Sequence, residues 1–382
     1  MKILTCIVAI ATLIVGFSGC ERIPQITQPT TPQVDDKSDA ISIGVVLPLT
    51  GHLASTGQLM KQGHELALNE INDAQLGDTK LKFIIEDDAT TPEGAVAAFN
   101  KLIHEDGVSI ILGPATSSAT QTAFPIAQEN QVVAFSATAG ARGLSGIGDF
   151  VFQMPPRGDL WIANGVKVGQ EKLRYQRVAK MYDETDLFST DRDKTFQETL
   201  EANGIEVLTT ETFMSGDTDF SEQLTRIKML NPDAVFVSAL PPEKPKVLIQ
   251  AHQLGLSVPF IITSLTEAEV QAAGGAAEGA LTFGSWLITD DTPGNQAFVE
   301  NYRTVYHTDP SGFAVSPYMA TYILAEAIKN AQSTDAAAIR DALMSIRDFD
   351  TIVGKFSFDA DGNGVYNPKM VIVKNGTLQL LE

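Results

Sequence analysis

Cysteine is nearly missing from this chain of 382 residues: there are two, Cys6 and Cys20, both in the first twenty positions. The rest of the chain therefore holds no disulfide and no thiolate metal site. Cations are also short. Lys and Arg number 27 against 47 Asp and Glu, a formal net charge of −20. No basic patch offsets that charge, which argues against nucleic acid or an anionic membrane surface as a partner. Beyond position 20 no apolar run reaches the roughly 18 residues of a membrane-crossing helix. Catalytic signatures are missing too. There is no P-loop and no Gly-x-Gly-x-x-Gly after a strand, and Gly143-Leu-Ser-Gly-Ile147 lacks the second glycine of a nucleophile elbow. The five histidines, His52, His64, His104, His252 and His307, show no ligand spacing. Asp359 to Gly364 begins like a calcium loop, but its twelfth position is Met370, so a hairpin turn is expected. Trp161 and Trp286 read as packed aromatics, and Asp87-Asp88 as a strand end with helix-start charge. No cofactor, metal or enzymatic activity is expected.

What is present begins with a targeting segment over residues 1–20: Lys2, the apolar stretch Ile3 to Val15, then Phe17-Ser-Gly before Cys20. It resembles a lipoprotein signal, whose cysteine becomes the lipid-bearing N-terminus; Phe17 stands where a branched aliphatic residue is usual. A plain secretory peptide cut near Gly19 is the alternative. Residues 21–39, with three prolines, read as a flexible tether.

From Ile41 the pattern alternates. Strands are expected at 41–47, 81–85, 109–112 and 132–135, with helices between them. Thr91 caps one helix with Pro92 at its first position. The alternation restarts with helices near 160–173, 193–202, 219–230 and 243–254, and strands at 178–182, 205–208, 234–237 and 260–263. Helices at 293–307, 315–331 and 335–346 follow, and 352–358 is expected to pair with 370–373. This predicts two doubly wound, mostly parallel α/β sheets with a cleft between them. In such sheets a ligand sits beyond the carboxyl ends of strands.

One stretch concentrates the right chemistry. The apolar run Ser109 to Leu112 is stopped by Gly113-Pro114 and followed by Thr116, Ser117, Ser118 and Thr120 at a helix start. The first turn of a helix has unpaired N–H groups and a partial positive charge, so it suits a carboxylate or phosphate. A single N-cap needs only one of those hydroxyls. The other polar strand ends are Thr50–Gly57, Ser136–Thr138 and Asp183–Phe188, with Leu240 and Ser264.

These residues carry a resemblance. Ile43 to Gly51, Glu86 to Pro92, Gly113 to Gln121, Ser136 to Ala139, Asp309 to Gly312 and Phe358 to Gly362 are together similar to the periplasmic solute-binding proteins of ABC transporters, type I fold, in the leucine/isoleucine/valine-binding branch. The resemblance implies a two-lobed venus-flytrap. The first lobe would hold about 40–157 and 287–352, the second about 158–286 and 353–382. Ser117 would bind a ligand carboxylate through its hydroxyl and N–H. Ser136 would offer a carbonyl to an ammonium and an N–H to the carboxylate, and Thr138 a hydroxyl to the ammonium; Thr116 and Ala137 flank them. The acidic residue that meets the ammonium in the family falls on Ser264, with Glu267 three residues on. Family aromatics fall on Leu187 or Phe188, on Leu240 and on Thr56.

The implied function is a monomeric, lipid-anchored extracytoplasmic receptor. It would capture an amino acid, branched-chain or related, or a similar small carboxylate, and deliver it to ABC permease subunits. An aromatic or aliphatic acid, an amide, or a ligand-sensing module signalling to a partner are the alternatives. A small-molecule ligand and the permease are the expected partners; nucleic acid is not.

Overall fold

A computed structural model describes residues 40–74 and 80–381. The targeting segment, the tether and Cys20 lie outside the described residues.

Successive strand residues point to opposite faces, so a strand apolar on both must be covered on both. Strand β1 (Ile41–Leu47) illustrates this. Val45 packs with α1 (Ala54–Asp73), while its neighbour Val46 packs with α2 (Pro92–His104) and α3 (Ser117–Glu129). β2 (Leu81–Asp87), β3 (Ile110–Leu112), β4 (Val133–Ser136) and β5 (Val151–Gln153) complete a parallel sheet in the order β2-β1-β3-β4-β5. Local signals place its helices. Thr91 caps α2 by accepting the Gly94 N–H at 3.0 Å, with Pro92 at the first position, as expected.

The second sheet repeats the plan. α4 (Gly158–Leu173) leads to β6 (Arg177–Asp183), α5 (Leu187–Ala202), β7 (Glu206–Phe213), α6 (Ser221–Leu230), β8 (Ala234–Ser238), α7 (Lys244–Gln253), β9 (Phe260–Ile262), α8 (Glu267–Ala273) and β10 (Leu281–Gly284). Again one face, with Val235, Val237 and Ile262, packs on α6, α7 and α8, and the other, with Ala234, Phe236 and Ile261, on α4 and α5.

The chain then returns. α9 (Asn295–Tyr306), α10 (Gly312–Ala331) and α11 (Ala336–Met344) bury Phe298, Ile323 and Leu343 in the core shared by α1 and the first sheet. β11 (Phe349–Thr351), β12 (Gly354–Phe358) and β13 (Gly364–Val365) form a small antiparallel sheet. β14 (Lys369–Lys374) and β15 (Thr377–Leu380) join the second, giving the order β15-β14-β10-β9-β8-β6-β7.

Two sequence expectations differ from this. The stretch 352–358 does not pair with 370–373: β12 pairs with β11 and β13, and β14 with β10 and β15. The Asp359–Gly364 turn closes the β12–β13 hairpin as expected, with Asp359 Oδ1 accepting the N–H groups of Asp361 at 3.0 Å and Asn363 at 2.8 Å. α5 begins at Leu187 rather than 193, because Asp186 caps it through the Ser189 N–H at 2.8 Å. The short strands β5 and β10, helix α8 and strand β15 were not expected.

Candidate functional site

The first sheet sends β3 and β4 side by side into loops at its carboxyl edge. Gly113 leaves β3 at φ +113°, and a Cβ there would stand 2.4 Å from the Val46 carbonyl oxygen. Only glycine makes that turn, and it brings Thr116 to the N-cap of α3. Thr116 Oγ1 accepts the Ala119 N–H at 3.3 Å. One of the four hydroxyls is thus an ordinary cap.

Thr120 donates to the Thr116 carbonyl at 2.8 Å, while Ser117 joins a cluster with Ser136 and Thr138. Ser117, with 1% of its surface exposed, accepts the N–H of Gly140 at 3.2 Å and of Ala141 at 3.1 Å. Its own proton is left to donate. Ser136 donates to the Pro114 carbonyl at 2.6 Å and accepts the Ala139 N–H at 3.0 Å. Half-buried Thr138 donates to the Ala115 carbonyl at 2.7 Å, leaving lone pairs free. Ala137, between them, is buried.

The second sheet meets this cluster through the start of α5. Ser118 accepts the Leu187 N–H at 3.1 Å and donates to Asp186 Oδ1 at 3.3 Å. Arg142, in the loop after β4, reaches Asp191 Oδ1 at 2.6 Å and Glu198 Oε2 at 3.1 Å on α5. Ser264, after β9, is held from behind. Fully buried Lys244 donates to its carbonyl at 2.6 Å and its Oγ at 3.1 Å, and pairs with Glu269 at 2.8 Å.

Burial sets the electrostatics of this wall. It pushes Glu267 up to about 7, against a hydrogen bond from the Gly312 backbone at the start of α10. It raises Asp186 and Glu243, the latter partly offset by the Gly216 N–H and by His52 of the loop after β1. It raises Asp88 to about 6. One oxygen of Glu243 accepts from Gly216 at 3.0 Å and the other has no partner.

The structure therefore brings Ser117, Ser136, Ala137 and Thr138 together, with Thr116 as their cap and Leu187 facing them. Ser264 joins Lys244 rather than that cluster. Glu267 opens α8 and bonds the first residue of α10, and it borders a groove of 1160 Å³ shared with Leu59, Asp290 and Ser311. Thr56 is buried in the first turn of α1, and Leu240 is half-buried two residues beyond β8. Sequence reasoning missed Arg142 and Lys244, and it placed Ser118 and Asp186 in candidate stretches without giving either a role. For Asp186 a signal exists: Asp three residues before Ser189 is a capping pattern. Lys244 and Ser264 are twenty positions apart, and nothing local joins them.

Comparison with known proteins gives one consistent result. A family model described as periplasmic binding protein matches residues 40–377. The leucine-, isoleucine-, valine-, threonine- and alanine-binding protein of Pseudomonas aeruginosa is 29% identical over 85% of this chain and 87% of its own length. The branched-chain amino acid substrate-binding protein LivJ of Streptococcus pneumoniae, solved with isoleucine, has a TM-score of 0.82 at 29% identity, covering 89% of this chain and 98% of that one. A solute-binding protein from R. palustris solved with benzoate shares the fold, with a TM-score of 0.83 at 23% identity over 90% of this chain and 95% of that one.

Proposed function

From a chain that belongs to the periplasmic binding protein family, we propose an extracytoplasmic receptor of an ABC importer. It captures an amino acid, branched-chain or related, or a similar small carboxylate, between its two lobes and delivers it to the permease subunits. The observation that carries this reading is the Ser117, Ser136 and Thr138 cluster at the carboxyl ends of β3 and β4, with the start of α5 facing it. Ser117 retains a proton for a carboxylate, and Thr138 retains lone pairs for an ammonium. Leu187, Leu240 and Thr56 supply apolar and hydroxyl walls in this reading. The ligand shifts the hinge equilibrium through contacts to both lobes.

The lobes are discontinuous in this proposal: about 40–157 with the chain from 287 onward, and about 158–286 with the C-terminal strands. Phe356 and Phe358 pack in the first core, which favours a third passage at 359–368 rather than at 353. Cys20 carries the lipid anchor, and the receptor acts as a monomer without catalysis.

A second reading has its own support. Ser264 and Lys244 stand where an acidic partner would meet an ammonium, and Glu267 is bonded to the Gly312 backbone. An ammonium without an anionic partner is poorly compensated when buried. This favours a carboxylate without an amino group, such as an aromatic or aliphatic acid. Mass spectrometry of the small molecules released on denaturation, followed by calorimetry with L-leucine and with benzoate, decides between them. Binding of neither, with no acid released, would overturn the receptor reading for carboxylates.

A further inference from the structure

Arg192 lies on α5 in a run, Asp191-Arg-Asp-Lys194, that reads as a solvated helix face, yet only 1% of it is exposed. It sits among residues of its own lobe and reaches the first lobe at Gly140. Its Nη2 donates to the Gly140 carbonyl oxygen, and its Nη1 lies 3.2 Å from Asp191 Oδ2. Its guanidinium carbon stands 5.4 Å from the ring centre of Trp161 and 5.0 Å from that of Phe188. Nε is buried without a partner. Two glycines leave the slot open: a Cβ on Gly158 would come within 1.8 Å of Nη1, and one on Gly140 within 2.9 Å of Nη2.

The acceptor is one peptide unit with two connections. The carbonyl of Gly140 takes the proton of Arg192, while the N–H of the same peptide, that of Ala141, donates to Ser117 Oγ at 3.1 Å. A cation on one side of an amide polarises it, so the N–H becomes a stronger donor and the serine it feeds a stronger donor in turn. The chain runs from a second-lobe guanidinium through one first-lobe peptide to the hydroxyl offered to the ligand.

We propose that Arg192 couples the ligand seat at Ser117 to the approach of the two lobes, as a positioning residue that does not itself touch the ligand. This rests on the reading that a carboxylate binds at Ser117. An anion there strengthens the hold of Arg192 on Gly140, and by reciprocity that hold strengthens binding of the anion. When the lobes part, Arg192 keeps its own lobe's Trp161, Phe188 and Asp191 but loses the Gly140 carbonyl, and the polarisation ends. Burial draws Arg192 down to about 10, offset in part by Asp191 beside it on α5.

The test uses Arg192→Met, Arg192→Lys and Gly158→Ala in the full chain, each checked for fold by circular dichroism. Gly158→Ala keeps the cation but drives it from its slot. Small-angle scattering reads lobe separation, and calorimetry reads affinity for L-leucine and for benzoate. Met and Gly158→Ala should both enlarge the radius of gyration and weaken the bound probe at least tenfold, with Lys falling between Met and wild type. Unchanged scattering in both variants, or weakened affinity at wild-type dimensions, overturns the coupling. If wild type binds neither probe, the carboxylate reading fails, and scattering alone still decides whether Arg192 holds the lobes together. Failure of Met to fold leaves the decision with Gly158→Ala.

Discussion

Ser118 and Leu187 face one another across the two lobes, with the Leu187 N–H donated to Ser118 Oγ at 3.1 Å. The same hydroxyl donates to Asp186, so a single side chain of the first lobe ties down the N-cap and first residue of α5. In the two-lobed reading proposed above, this bond joins one lobe to the other. Ser118→Ala should lower ligand affinity two- to tenfold, the ~0.5–1.5 kcal/mol of one net hydrogen bond. Thermal stability without ligand should hardly move, because each lobe keeps its own core. Calorimetry and a melting curve on the same sample check both halves.

Its neighbour Ser117 is different. Its oxygen satisfies two buried amides of the first lobe, those of Gly140 and Ala141. Ser117→Ala should therefore cost about 1–3 kcal/mol of stability as well as binding, since a buried donor left unmade is expensive. Thr138→Ala should spare stability more, because it frees only the Ala115 carbonyl, and still weaken an amino-acid ligand. Wild-type affinity in both variants would remove this cluster from the site.

The strands were legible because burial on both faces writes an unbroken apolar run. Val45 and Val46 face opposite layers and are both apolar. Thr91 and Thr116 announced their helices through caps that need only local bonds. The serine cluster was legible for the same reason, since a strand end and a helix start are local features. Arg192 was not. Its buried state depends on glycines at 140 and 158 and on two aromatic rings brought from elsewhere. The pairing of β14 with β10 was missed because β10 spans only four residues, too short a run to read as a strand.

Glu267 makes stability fall with rising pH. Its carboxyl, normally near 4.5, titrates at about 7 in the fold because burial penalises the charge. A raised folded value means the favourable contribution is complete below the unfolded value and is lost as pH climbs through the folded one. Asp88, raised to about 6 by burial, acts in the same direction, so the effect is read by difference. Glu267→Gln should gain on wild type by on the order of 1–2 kcal/mol between pH 5 and 8. Equal pH slopes for the two proteins in urea unfolding would show that Glu267 is not the source.

The proposed anchor rests on one atom outside the described residues, the sulfur of Cys20. Cys20→Ser should move the protein from the membrane to the soluble fraction on cell fractionation, with ligand affinity unchanged. Membrane retention of the variant would point to another anchor.

Lys244 and Glu269 form a buried pair at 2.8 Å, with 0% and 5% of the two residues exposed. Lys244 also holds Ser264 through its carbonyl at 2.6 Å, so the pair fixes the loop after β9. Replacing one partner leaves a buried charge uncompensated, which costs about 3–5 kcal/mol, whereas replacing both with neutral groups is often tolerated. Lys244→Met alone should therefore lower the unfolding midpoint sharply, and Lys244→Met with Glu269→Gln should recover at least half of that loss. The double variant also leaves the Ser264 carbonyl without its donor, so recovery of stability should be incomplete. A double variant no more stable than the single one would mean that Lys244 acts through packing of its stem, not through its charge.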